Sequence, residues 1–402
     1  MQKRSSDNYK RLEKSFAEAD DAFRNDFAVI YGTEQQRTKA HFDRFKQIWK
    51  GWDKPGQCMY RGCPNPTIRR SHAIQKSAHL ELLAEDQHVL TPELNARGQL
   101  EMRRIGVNLA STFPGFCEDH EQIFSEFEAA GAISSPRHFG LQAFRTLCRE
   151  IFRKRLEISD QESAIDQYRK TRSNYFVSAV ESVMPDATVH TLEIKGDGME
   201  HFVTSRIRES KLTLAELEGN LYHELFEFIN DEQREPCLNV LSLPFEVPVA
   251  CSGLGNLTYM HRDTKKRKEA FCPLGILPQS GAAIAYFATS KKHSGIAETY
   301  FAMMNRGFGA LNAMESWIVN GSDHWFIRPS AWDSIPASRQ KRILEQIMRD
   351  DDNIGSLLSF SIFDDARRQI ITWINEGFDR VDTKTRRKLS KMIEKESAKL
   401  TK

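Results

Sequence analysis

The chain has no apolar run near the ~20 residues that a membrane-spanning helix needs. Its longest candidate, GAAIAYFA at 281–288, has the length of a core strand. The N-terminus, MQKRSSDNYKRLEKSF, lacks the apolar stretch of a secretory signal. These two absences lead to the expectation of a cytoplasmic protein with no membrane partner. An excess of one charge is also missing. Lys+Arg number 57 and Asp+Glu 55, a net +2, so any contact with nucleic acid must use a local patch. Cysteines are few and odd in number, at 58, 63, 117, 148, 237, 251 and 272, which argues against a disulfide framework. There is no Ser-nucleophile motif. SGLG (252–255) and GFG (307–309) lack the Lys-Ser/Thr of a phosphate loop, although CSGLGN could form a backbone nest. No internal repeat or low-complexity tract occurs.

What is present suffices for a folded protein of two or three domains. The chain has 402 residues, 40% of them apolar and 25 of them Phe. Residues 7–50 read as helix: Tyr9, Leu12, Phe16, Phe23, Phe27 and Ile30 recur at helical spacing, and Phe42, Phe45, Ile48 and Trp49 repeat the pattern. Residues 57–130 are rich in Cys, His, Pro and Gly, with strand-like pieces (RSHAIQKS, HVLTPE) and a helix from about Asp119. Helix returns over 138–185, Val189–Ile194 alternates weakly, and Leu212–Glu232 carries an apolar stripe of Leu214, Leu217, Leu221, Leu225 and Phe228. From Cys237 the pattern turns β-rich and Pro/Gly-punctuated (LNVLSLPFEVPVACSG, GNLTYMH, FCPLGILPQSGAAIAYFATS, HWFIRPSAW), with helices at 296–318, 337–349 and 382–400. The expected fold is α+β. N-terminal helices (1–54) enclose a small zinc-stapled module (55–130). A helical connector (131–185) and a larger α+β domain with a mostly antiparallel sheet (186–402) follow.

Three of the seven cysteines concentrate the chemistry. Cys58-x4-Cys63 is followed by RRSHAIQKS and then by FPGFCEDHEQIF, where Cys117 and His120 flank a helix start. Two close ligands on a knuckle, plus two more where a helix begins, is how a tetrahedral zinc site is built from distant segments. Thiolate and imidazole suit that metal, and a segment with few apolar residues needs such a staple. Two buried free thiols and a surface His is the plainer reading of the same residues. His72 or His88 could also replace one of the four ligands.

Residues 55–130 resemble the HNH, or ββα-metal, nuclease superfamily and its treble-clef relatives. The resemblance implies that Cys58 and Cys63 form the first knuckle and Cys117 and His120 the second ligand pair. It puts His72, in SHAIQKS, at the place of the general base, and Glu121 at the place of the helix residue that holds a catalytic Mg²⁺ or Mn²⁺. Asn95 or Asn108 would be the middle Asn, and Arg69 and Arg70 would hold the phosphate backbone of DNA. The chain departs from the pattern in having Ser71 where an acidic residue usually precedes the His, and Glu121 in place of His. Glu121 could equally complement a helix N-terminus beside Glu118 and Asp119.

Two functions are therefore expected. The first is a metal-dependent, HNH-like endonuclease acting on DNA, with a C-terminal sensing domain. That layout resembles effectors of mobile-element and antiviral defence systems. The alternative is a non-catalytic zinc-binding protein that meets nucleic acid or a protein partner, the latter through its C-terminal domain. A third site, around Asp323, His324 and Trp325, would make the C-terminal domain itself an enzyme. His223 in Tyr222-His223-Glu224 lies off the apolar stripe. The run HRDTKKRKE (261–269) and the basic last helix are the strongest local charges, and Leu389, Met392 and Ile393 could dock that helix.

Overall fold

In the computed structural model the described residues are 2–30, 52, 54–95, 97, 99–128, 133–185, 193–231, 236–260, 265–349 and 353–401. Phe42 to Trp49, residues 189–192 and the first part of the basic run (261–264) lie outside them. Nine strands are described. They are β1 (Ser71–His72), β2 (His88–Leu94), β3 (Leu100–Gly106), β4 (Thr112–Phe113), β5 (Cys237–Leu243), β6 (Val249–Met260), β7 (Arg267–Gln279), β8 (Ala282–Thr289) and β9 (Trp325–Ile327). Seven make one sheet in the order β3-β2-β9-β6-β7-β8-β5, antiparallel at every junction, and β1 pairs with β4 separately. The expected α+β class with an antiparallel sheet is what the chain forms. The sheet draws on both β-rich segments, since Leu90 of β2 faces Ile327 of β9.

The β7–β8 hairpin shows the local logic. Alternating and continuous apolar residues run into Ser280-Gly281, and Gly281 turns at φ +71°, a conformation that favours glycine. CSGLGN is not a nest but the buried middle of β6. A Cβ on Gly253 would sit 1.8 Å from Ser322 Oγ, so this glycine lets the Trp317–Gly321 turn approach the strand. Gly275 does the same for its cross-strand partner, since a Cβ there would sit 2.3 Å from the Tyr286 ring. HWFIRPSAW is β-strand only to Ile327. Pro329 then opens a short helix, Pro329–Asp333, because its fixed φ suits a first helical turn and its missing N–H cannot extend a strand.

Each face of the sheet has its own cover. On one, Leu274, Ile276 and Phe287 pack against Tyr300, Leu311 and Trp317, with Phe287 5.4 Å from the Tyr300 ring. Trp317 Nε1 donates to Tyr300 OH (2.9 Å), which donates to the Ile354 carbonyl (2.9 Å), so the polar tips of this core are satisfied. On the other face Ser252, Gly275 and Tyr286 form one cross-strand row. Thr146 Oγ1 bonds Ser252 Oγ (2.8 Å) and Tyr286 OH (2.9 Å), linking this row to the helix Pro136–Val183.

The chain divides into two compact units. One comprises 1–52, 95–99 and 153–215 and is mostly helical where described. Within it Phe23 is buried between the rings of Tyr168 (5.2 Å) and Tyr175 (5.6 Å), and Arg172 pairs with Asp20 at 3.2 Å. The other unit comprises 53–94, 100–152 and 216–402 and holds the sheet. The helical stripe expected over 212–232 belongs to a longer path: Gly198–Glu216 passes through a wider turn at Leu217–Leu221 into Tyr222–Asn230. The last helix, Thr383–Leu400, is capped by Asp382, whose carboxylate accepts from Thr385 N at 3.0 Å. Leu389, Met392 and Ile393 are half-buried, as expected of a docked helix. Its end is held by a buried ionic network of Arg367, Glu315, Glu396 and Lys399.

Candidate metal centre

The sequence around Cys58 folds as a tight knuckle because Gly62 takes the left-handed φ of +79°. Cys63 N donates to the Tyr60 carbonyl at 3.1 Å and Cys58 N to the Asn65 carbonyl at 3.0 Å, closing the loop. The knuckle is tied to the second ligand pair through backbone bonds. Met59 N donates to the Gly115 carbonyl (2.9 Å) and Ile68 N to the Phe116 carbonyl (2.7 Å). Gly115 is required there, since a Cβ would lie 2.3 Å from the Phe113 ring. Cys117 then caps the helix Glu118–Glu121, and His120 falls one turn on, facing the same point.

The result brings Cys58, Cys63, Cys117 and His120 together, with all four donor atoms within 4.8 Å of one another. Cys63 Sγ lies 3.8 Å from Cys117 Sγ, and His120 Nδ1 lies 3.6 Å from Cys58 Sγ and 3.2 Å from Cys117 Sγ. A tetrahedral zinc with Zn–S of ~2.3 Å and Zn–N of ~2.05 Å has S–S edges of ~3.8 Å and S–N edges of ~3.6 Å. Two edges match and the third is a few tenths short. The Cys117 amide donates to Cys58 Sγ at 3.4 Å, the kind of bond that supports a thiolate. Burial pushes the Cys58 thiol up to about 11. Burial also opposes ionisation of Cys117, yet its thiol lies below the ordinary value because the His120 amide, the Cys58 and Cys63 thiols and the Asp119 amide bond to its sulfur. The set could thus hold a metal ion, and a cation would favour the remaining thiolates.

Two aromatic residues brace this centre, and the sequence alone did not single them out for that role. Tyr60 stacks face to face on the His120 ring, with centroids 4.0 Å apart and planes at 14°. Its hydroxyl donates to Asn230 Oδ1, and Tyr222 OH donates to the Met59 carbonyl, both at 2.5 Å. The helix Tyr222–Asn230 therefore packs on the knuckle. His223 joins this contact on the surface, 3.1 Å from Arg61 and 3.0 Å from Glu227.

His72 and His88 are not in the cluster. His72 Nδ1 lies 3.1 Å from the Ala110 carbonyl and His88 Nδ1 2.6 Å from that of Asp86. His72 ends β1, half-buried, and its pKa is lowered by burial and by the charge of Arg145. With Nδ1–H donating to Ala110, the lone pair is on Nε2. Glu121 is engaged by Arg145, a nearly fully buried residue that also binds Glu128 at 2.7 Å and lies 4.2 Å over the Phe124 ring. Its second oxygen is buried with no hydrogen-bond partner among the described residues. The sequence offered one sign of this: Arg145 interrupts the apolar face of Leu141, Cys148 and Phe152. Among the described residues no other group of three or more His, Cys, Asp or Glu donors gathers as a metal site.

The remaining candidates are scattered. Arg69, Arg70 and Asn108 are exposed, and Asn95 Oδ1 accepts from the amides of Arg97 (2.9 Å) and Gln99 (3.1 Å) in a turn. Asp323 is exposed while His324 is buried, with Nδ1 2.6 Å from the Ser252 carbonyl and its ring 5.1 Å from that of Phe326. The two neighbours do not share a pocket. Trp325 is buried in β9. Among the described residues no helix is long and apolar enough to cross a membrane. Comparison with family models, with curated proteins and with solved structures finds no match.

Proposed function

We propose that Cys58, Cys63, Cys117 and His120 hold one structural zinc ion, and that the protein works by binding a partner, not by hydrolysis at His72. The carrying observation is the gathering of four soft and borderline donors within 4.8 Å of one another, two of their edges matching those of a tetrahedral zinc. Such a set leaves no open coordination position for a reacting water. Bound there, zinc would crosslink the knuckle to the helix start beside the packed rings of Phe113, Phe116, Phe124 and Phe127. Glu121, the expected ligand of a catalytic ion, is neutralised by Arg145 instead. The position before His72 is Ser71, which is fully buried and adds no charge.

One observation favours the HNH-like reading as a second possibility. His72 is oriented by Ala110 with Nε2 as its base, and β1 pairs antiparallel with β4, which leads into the helix, with β2 and β3 between them in the chain. Purified protein incubated with plasmid and Mg²⁺ or Mn²⁺ separates the two. Binding alone predicts about one zinc per chain and no nicking by either the wild type or His72→Ala. Nicking that His72→Ala abolishes, with zinc retained, would replace this reading by the hydrolytic one.

A further inference from the structure

The last helix, Thr383–Leu400, concentrates positive charge that the rest of the chain does not share. It carries seven Lys/Arg against two Glu, a net of +5, and since the whole chain is +2 the remainder is −3. Two of these residues, Glu396 and Lys399, are buried in the network that fixes the helix. Lys384, Arg387, Lys388, Lys391 and Lys395 are exposed, and none is drawn into an ion pair with a described residue. Their spacing of three, one, three and four residues lays them along a single helix face, over ~16 Å at 1.5 Å per residue.

We propose that this stripe is a docking surface for the phosphodiester backbone of a double-stranded nucleic acid. Three observations select that partner. The cations form a regular row, as the phosphates of a duplex do, and a duplex presents one charge per ~1.7 Å of axis. The row is rigid, because the helix end is pinned from inside: Lys399 Nζ lies 2.6 Å from Asn312 Oδ1, and the Lys399 carbonyl accepts from Ser361 N at 3.2 Å. A helix already ordered does not lose backbone freedom on binding as a disordered basic tail would. A lipid surface is disfavoured, since an interfacial helix needs exposed apolar residues beside its cations. Here Leu389, Met392 and Ile393 are turned into the protein, and no large exposed apolar residue lies on the helix. The inference does not depend on the metal centre.

The test uses the full chain and three probes in fluorescence anisotropy: a labelled DNA duplex of arbitrary sequence, the matching RNA duplex, and vesicles containing phosphatidylserine. Binding of either duplex supports the surface, and the stronger one identifies the source of the phosphates. Five phosphate contacts predict a slope of log K against log[salt] of about −4.5. Lys388→Gln/Lys391→Gln should reduce that slope by about 2 and weaken binding on the order of 50-fold at 0.1 M salt. Lys388→Arg/Lys391→Arg should leave it intact. Neither change touches a buried contact, so the thermal midpoint should hold. Lys384→Gln/Lys395→Gln repeats the test should the first variant prove unstable. No duplex binding at low salt, a slope indifferent to these variants, or binding to vesicles alone would overturn the proposal.

Discussion

Cys117→Ser is expected to abolish stoichiometric metal binding and to unfold the segment from the knuckle to the helix Glu118–Glu121. Cys117 sits where three strands of evidence for one ion converge. Its sulfur is 3.8 Å from Cys63 Sγ and 3.2 Å from His120 Nδ1, and its amide supports Cys58. Structural zinc contributes roughly 10–16 kcal/mol to the folding of small metal domains, against a total stability of about 5–15 kcal/mol for an ordinary domain. Not all of that is lost here, because Phe113, Phe116, Phe124 and Phe127 still pack together. A loss of at least about 5 kcal/mol is nevertheless expected. Denaturant unfolding together with metal analysis checks it. Cys237→Ser, at a half-buried thiol on β5, should keep both metal and stability. Full metal occupancy and an unchanged midpoint in Cys117→Ser would show that the four donors hold no ion.

Arg367→Met should cost about 3–5 kcal/mol, the usual penalty for removing one partner of a buried ion pair. Arg367 is entirely buried and is met by two carboxylates, Glu315 at 2.5 Å and Glu396 closer still. Its guanidinium also reaches Ser361 Oγ (3.0 Å) and Asn312 Oδ1 (3.2 Å). Glu315 in turn accepts from the amides of Ile362 (2.8 Å) and Phe363 (3.2 Å), so it cannot turn away to water. Without the guanidinium, Glu315 and Glu396 stay buried with only Lys399, 3.2 Å from Glu396, to offset their charge. Urea unfolding at neutral pH measures the loss. A loss under about 1 kcal/mol at neutral pH would mean the network is not the clamp of the C-terminal helix.

The candidate donor cluster was legible because Cys and His are rare and carry their chemistry in their spacing. Cys58-x4-Cys63 and Cys117-x2-His120 needed no tertiary information. The antiparallel sheet was legible in the apolar stretches of β6, β7 and β8, and the docked last helix in Leu389, Met392 and Ile393. What the sequence did not disclose depends on long-range geometry. The sheet is continued through a narrow junction, with Leu90 against Ile327, and nothing local to either residue specifies it. CSGLGN read as a possible backbone nest because glycine is permissive. It lies in a strand, and glycine is needed there because Ser322 and Ile354 occupy the space a Cβ would take at Gly253 and Gly255. Glu121 was expected to hold a catalytic ion or to complement a helix start; its pairing with Arg145, 24 positions away, was not legible locally. Nothing local singles out Tyr60, since its partner His120 is brought to it by the fold.

The central claim is that one zinc ion is shared by three sulfurs and one ring nitrogen. X-ray absorption at the zinc edge of the isolated full-length protein, alongside its metal content, tests it most directly. About one zinc per chain is expected, with a shell of three sulfurs at ~2.3 Å and one nitrogen at ~2.0 Å. Protein isolated without stoichiometric metal, or a shell dominated by oxygen and nitrogen, would contradict it.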